Sequence, residues 1–328
     1  MKRAARLANY LKNFTARLVP GGVLLTLLLL GGCASQLQAT GLLRAPPDGL
    51  AQAVELKQVP FFPQERYQCG PAALATILNW SGVTVTAEQL RDEVYLPRRH
   101  GSLQVELTAA ARHHLRVPYV LAPDLQAVLD EVRAGNPVLV LLNLGLSWYP
   151  VWHYAVVVGY DLRRDAMVMR SGTQRREEIS LELFERTWRR SKRWAVVVTS
   201  PDRLPATAQQ LPFLRTVLVI EQLGDWRTAL QAYGAAWRRW PDSSGAGMGV
   251  GNTAYAGGDY PAAEAAYRRV LERHPGFAPA LNNLAQTLIR MGNLAASEHY
   301  AREAVAAGGA DSEVYRETLR EIRDHMKQ

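Results

Sequence analysis

The sequence predicts two unlike domains, an α+β domain over residues 58–200 followed by an all-α repeat array over residues 210–328. Three observations carry this reading. The first region places helical patterns ahead of a group of apolar, strand-like runs, the layout of an α+β domain. The second is Ala-rich and repeats at a period of 34 residues. A chain of 328 residues also has room for two domains at ~100–200 residues each.

In the first region, apolar residues recur at helical spacing from Gly70 to Trp80, with Ala72, Leu74, Ala75, Ile77 and Leu78 on one face. Further helices are predicted over 86–94, 104–115 and 123–134, the last ended by Gly135-Asn136-Pro137. Uncharged runs follow at Val138–Leu142, Tyr154–Tyr160, Met167–Met169 and Trp194–Val198, and these predict a strand meander. Residues 201–209 read as a linker.

Beyond it, Gly224-Asp225-Trp226, Gly258-Asp259-Tyr260 and Gly292-Asn293-Leu294 are 34 residues apart. Ala229, Ala263 and Ser297 keep the same phase, as do Tyr233 with Tyr267, and Pro241 with Pro275. The pattern resembles the tetratricopeptide repeat, with units at 210–243, 244–277 and 278–311 and a closing helix at 312–326. Gly247, Gly249 and Gly251 are expected to weaken the first helix of the middle unit. Such a module presents a concave face to a peptide or protein partner.

The N-terminus joins a basic run to the apolar stretch Val23–Leu30, bounded by Pro20, Gly21 and Gly22 before it and by Gly31 and Gly32 after it. A membrane-spanning helix needs ~20 such residues, so residues 1–32 read as an export signal. Leu30-Gly31-Gly32-Cys33 resembles the bacterial lipobox, in which the cysteine is acylated and becomes the first residue of the mature chain. The resemblance implies a protein of the bacterial envelope, lipid-anchored through Cys33 and facing the periplasm from the outer membrane. Residues 34–57 are expected to be a flexible spacer of ~27 Å root-mean-square reach.

The formal charge of +8 is no sign of nucleic-acid binding, because Lys2, Arg3, Arg6, Lys12 and Arg17 supply five of those charges within the signal. A hydrophobic content of 48% with 21% charged residues excludes wholesale disorder. Two isolated cysteines exclude a disulfide scaffold and a paired-thiolate zinc site. No phosphate loop or metal-ligand cluster is recognisable, so no cofactor and no metal are expected.

Cys69 stands in Gln68-Cys69-Gly70-Pro71, and proline just beyond it places the thiol at a helix N-terminus. The helix dipole there favours thiolate. His153 opens the apolar strand His153–Tyr160, where an imidazole at the strand mouth can take a proton from a thiol across a cleft. The other six histidines sit in polar or helical surroundings.

Together, Gln64…Cys69-Gly70-Pro71-Ala72 and His153-Tyr154-Ala155-Val156-Val157-Val158-Gly159-Tyr160-Asp161 resemble the papain-like cysteine peptidases that trim double-glycine leaders from bacteriocins, family thirty-nine of the cysteine peptidases. The resemblance implies that Cys69 is the nucleophile, His153 the base, and Gln64 an oxyanion donor beside the N–H of Cys69. Gln64 stands five residues ahead of the cysteine where the family has six, and Gln68 is a less favoured substitute. The family's acidic third residue is missing. A hairpin of Tyr154–Tyr160 with Ala166–Arg170 brings Ser171 beside His153 as the candidate orienter, with Asn143 as a second candidate. Asp161, eight residues from His153, lies roughly 26 Å along the strand.

Two functions are therefore expected. One is a lipid-anchored cysteine peptidase that cleaves a peptide bond, its repeats recruiting substrate. The other is an inactive peptidase-like scaffold that binds peptides or assembles envelope proteins.

Overall fold

The computed structural model describes residues 37–64 and 67–327, so residues 1–32, expected to be an export signal, and Cys33 lie outside the described residues. The first domain opens with α1 (Gln38–Arg44) and β1 (Ala53–Glu55). Three helices follow, α2 (Cys69–Trp80), α3 (Ala87–Val94) and α4 (Gln104–His113). After β2 (Val117–Val120) and α5 (Leu125–Arg133) come the strands β3 (Val138–Asn143), β4 (Trp152–Asp161), β5 (Ala166–Ser171) and β6 (Gln174–Ile179). The domain ends with α6 (Leu181–Arg189) and β7 (Ala195–Thr199).

The strands form one antiparallel sheet in the order β2-β7-β3-β4-β5-β6, with β1 pairing the far half of β4. β3 and β4 are apolar on both faces because helices cover both faces of the sheet. On one face, Leu139, Leu141, Tyr154, Val156 and Val158 pack against Leu74, Ile77 and Leu78 of α2 and Leu107 of α4. On the other, Val140, Leu142, Ala155 and Val157 meet Val128 and Leu129 of α5 and Phe184 and Trp188 of α6.

Residues 34–57, expected to be a flexible spacer, are folded from Gln38 onward. Ala39, Leu42 and Leu50 are buried in the core, and β1 runs beside β4 in register Val54↔Tyr160. Ala39 N–H donates to the buried Glu185 carboxylate at 2.8 Å, which fixes the start of α1 on α6. The sequence carries little local signal for α1, a seven-residue helix with Gly41 inside it, so tertiary burial decides.

Seven further helices complete the chain: α7 (Gln210–Gln222), α8 (Trp226–Arg239), α9 (Ser244–Ala256), α10 (Tyr260–Arg273), α11 (Ala278–Arg290), α12 (Leu294–Ala307) and α13 (Ser312–His325). They form three helix pairs, α7–α8, α9–α10 and α11–α12, and a closing helix, α13. Asp225, Asp259 and Asn293 cap α8, α10 and α12 alike, each side chain accepting a backbone N–H three residues on.

The glycines of the middle unit do not interrupt α9. A Cβ on Gly249 would come 2.5 Å from the Tyr233 ring, and one on Gly251 2.3 Å from the Tyr267 ring. They let two buried tyrosines seat against the helix backbone, and that packing offsets the propensity cost.

Candidate active site

Cys69 is the first residue of α2, preceded by Gln68 at the N-cap and followed by Gly70 and Pro71. Proline costs the helix nothing here, because its missing N–H belongs to the first turn, which has no intrahelical acceptor. Gly70 is required by space, since a Cβ would lie 2.3 Å from Ser102 Oγ. The half-buried Cys69 thiol is pushed up by burial, while the backbone N–H groups of Tyr154, Gly70 and Cys69 itself pull the other way. Desolvation outweighs the backbone N–H groups, a shift toward the thiol and away from the thiolate expected from the dipole.

His153 lies at the start of β4, paired with Leu142 of β3. Its Nε2 is 2.9 Å from Ser171 Oγ at the end of β5, and its Nδ1 has no hydrogen-bond partner among the described residues. The hairpin that the sequence predicts brings these two residues together. Burial lowers the basicity of the imidazole, and the negative charge of Glu177 on β6 acts weakly in the opposite sense. Both shifts favour a neutral thiol and a neutral imidazole.

Asn143, the second candidate orienter, is committed elsewhere. Its Oδ1 accepts from Gly145 and Val151 N–H, both at 3.0 Å, and its Nδ2 donates to Leu146 O at 3.3 Å. It shapes the β3–β4 loop and makes no bond to His153. A place at a strand end does not say which way a side chain turns.

Gln64 lines the same pocket as Cys69, its own N–H bonded to Gly172 O at 3.2 Å. A residue that the sequence reading missed holds this approach in place. The buried Arg170 donates to Lys57 O at 3.1 Å, to Val59 O at 3.2 Å and to Arg175 O at 2.6 Å. Residues 170–172 thereby fix the lead-in to Gln64 and, through Ser171, the histidine. One arginine inside an otherwise apolar strand run was the available signal.

Cys69, His153 and Gln64 all open on one cleft of about 1030 Å³. Arg99, His100, Arg190 and Lys192 line it with Tyr149 and Trp152, and no carboxylate does so among the described residues. The lining is thus cationic and aromatic. The far end of α4 brings Glu93, His113 and His114 together, with both imidazoles bonded to the carboxylate at 3.2 and 3.1 Å. This is the group of metal-ligand type among the described residues, and it stands largely on the surface and does not line the cleft.

Residues 56–196 match the family model described as the Peptidase_C39 like family. Residues 221–278 and 254–317 match two tetratricopeptide repeat models. The chain carries a C39-like peptidase domain followed by tetratricopeptide repeats. The C39-like match contains Cys69, His153, Gln64 and Ser171 and begins at β1's end, while the repeat matches cover α8 to α12.

Among solved structures, a protein of Bacillus anthracis described as a C39-like peptidase is similar at 19% identity and a TM-score of 0.39, over 46% of this chain and 98% of that one. The type III secretion chaperone SycD of Yersinia enterocolitica, in complex with a peptide of the translocator YopD, is similar at 18% identity and a TM-score of 0.33, over 35% and 92%. The TPR2B domain of yeast Sti1, in a complex described as pHsp70, is similar at 16% identity and a TM-score of 0.34, over 36% and 99%. No curated protein matches the chain. Among the described residues no helix is long and apolar enough to cross a membrane.

Proposed function

We propose that the C39-like domain is an active cysteine peptidase, anchored in the bacterial envelope through an acylated Cys33. The carrying observation is that Cys69, at a helix N-terminus, and His153, hydrogen-bonded to Ser171, line one cleft with Gln64. With Nε2 engaged by Ser171, Nδ1 is the nitrogen that takes the Cys69 proton as the sulfur attacks a peptide carbonyl. The N–H of Cys69 and the Gln64 amide then donate to the developing oxyanion. The imidazolium returns its proton to the leaving amine, and water hydrolyses the thioester. The repeats recruit a peptide or protein substrate or partner, and no nucleic acid takes part.

A peptidyl electrophile added to the purified protein tests this reading. The adduct should map to Cys69 and form far more slowly in His153→Ala. Equal labelling of both proteins, or none at Cys69, overturns it. The second reading, an inactive scaffold, is favoured by one observation: no carboxylate bonds to His153 among the described residues. A Cys69→Ala strain with an unchanged secreted-peptide profile decides for the scaffold.

A further inference from the structure

The β3–β4 loop is the most apolar exposed segment of the first domain. Leu144, Leu146, Trp148, Tyr149, Val151 and Trp152 are all at least 49% exposed, and Trp148 reaches 80%. No residue from Leu144 to Trp152 is charged. The loop is nevertheless held in one shape. Leu144 N–H bonds to Val151 O, Leu146 and Tyr149 exchange backbone bonds, and Asn143 ties down Gly145, Leu146 and Val151. Arg190 donates to the carbonyls of Asn143 and Gly145 from the side of α6. Rigid display of six apolar side chains to water is costly unless something covers them.

Tyr149, Val151 and Trp152 line the cleft, but Leu144, Leu146 and Trp148 do not, so the patch extends past the substrate path. Where the chain enters the domain says what lies there. Ala39 bonds to Glu185 and Thr40 to Glu182, so α1 read backward runs toward the C-terminal end of α6, where Arg190 grips the loop. Gln38 also accepts from Leu125 N–H at the start of α5. The carbonyl side of Ala195, beside Leu121, sets that start at the Asn143 end of β3. Two separate elements thus bring Leu37 to the edge that carries the loop. Cys33 is four residues earlier, a chain length of at most ~14 Å.

We propose that the β3–β4 loop is a membrane-seating rim, with Trp148 and its apolar neighbours dipping into the headgroup boundary of the bilayer that holds the N-terminus. Tryptophan and tyrosine favour that boundary, and Arg99 and Lys192, which line the cleft with Tyr149 and Trp152, suit anionic headgroups. The cleft then opens at the membrane surface and receives chain segments that emerge from it. The choice of occupant rests on the reading of Cys33 as lipid-bearing, and the test separates the two.

The full mature chain is mixed with phosphatidylethanolamine–phosphatidylglycerol vesicles brominated near the headgroup end of the acyl chains. Emission of the wild type minus that of Trp148→Phe isolates Trp148, and flotation is measured in parallel, with Cys33→Ser as the second variant. The expected result is loss of roughly half of the Trp148 emission to bromolipid, the depth of an interfacial side chain, with little quenching by aqueous iodide. A wild type that floats while Trp148 stays open to iodide and untouched by bromolipid keeps the anchor and overturns the rim; a protein partner would then cover the loop. Quenching that persists in a floating Cys33→Ser supports the rim and removes the anchor. A wild type that neither floats nor is quenched overturns both.

Discussion

Ser171 Oγ lies 2.9 Å from His153 Nε2, where a papain-like site places a carboxylate or amide. A hydroxyl holds the ring's orientation, but as donor and acceptor alike it selects neither tautomer, and it carries no charge with which to stabilise imidazolium. Around it the site is otherwise constrained, with Arg170 and Gly172 on either side of Ser171 binding the segment that leads to Gln64.

Removing the hydroxyl should therefore cost what one neutral hydrogen bond contributes. At ~1 kcal/mol, Ser171→Ala should slow modification of Cys69 by a peptidyl electrophile about 5-fold. Ser171→Asp should do the opposite to the ring's titration. A carboxylate against Nε2 opposes the burial that lowers the His153 pKa, so the acid limb of the pH–rate profile moves to higher pH. Rates and profiles unchanged in both variants would show that Ser171 does not orient the base.

Burial raises the Cys69 pKa above the usual thiol range and lowers that of His153 below the usual imidazole range. A thiolate–imidazolium pair exists at rest only where the thiol is the stronger acid, and both shifts move away from that. In the free protein, alkylation of Cys69 by iodoacetamide should climb into the alkaline range as the thiol ionises. A rate plateau from about pH 5 upward, as for thiols of pKa ~3–4, would mean that the ion pair forms at rest after all.

The parts of the fold that were legible in the sequence owe their form to local pattern. Residues 70–80 carry apolar side chains at helical spacing, and 154–160 an unbroken apolar run, so α2 and β4 could be read directly. The segments that were missed depend on the tertiary structure. β6, Gln-Arg-Arg-Glu-Glu-Ile, is an edge strand whose charges suit solvent and hide the period of two. α1 is too short to form alone and is held by Glu185. In the site, Ser171 followed from hairpin pairing, which fixes register. Arg170 and the cleft-lining Arg99, Arg190 and Lys192 come from separated segments that only the fold brings together.

The middle repeat offers a test of packing against propensity. Gly251→Ala adds ~1 kcal/mol of helix propensity to α9, but its Cβ would lie 2.3 Å from the Tyr267 ring. Overpacking of this kind costs ~1–3 kcal/mol, and Tyr267 has little room to yield because its hydroxyl bonds to Asn252 at 2.9 Å. The variant should lose up to about 2 kcal/mol net in urea unfolding. A gain in stability would show that the ring moves aside freely and that the glycine serves no packing need.

The join between the two domains depends on one buried carboxylate. Glu131 of α5 is fully buried and accepts from Thr207 N–H at 2.7 Å, Thr207 Oγ1 at 2.6 Å, Ala206 N–H at 3.1 Å and Asn136 Nδ2 at 2.6 Å. Three of these donors belong to the segment that enters α7, and Tyr119 Oη accepts from Gln209 N–H just beyond. The core supports the join, since Phe213, Val217 and Ile220 of α7 belong to the same apolar cluster as α5 and α6. Glu131→Ala would leave four donors without their acceptor, a loss of ~3 kcal/mol or more. The apolar contacts of α7 would remain, so the repeats should stay folded while residues 201–209 open. Limited proteolysis should then cut within 201–209 far faster than in the wild type, giving on a denaturing gel a C39-like fragment whose Cys69 had remained reactive. Cleavage unchanged in Glu131→Ala would show that the apolar cluster alone fixes the repeats against the sheet.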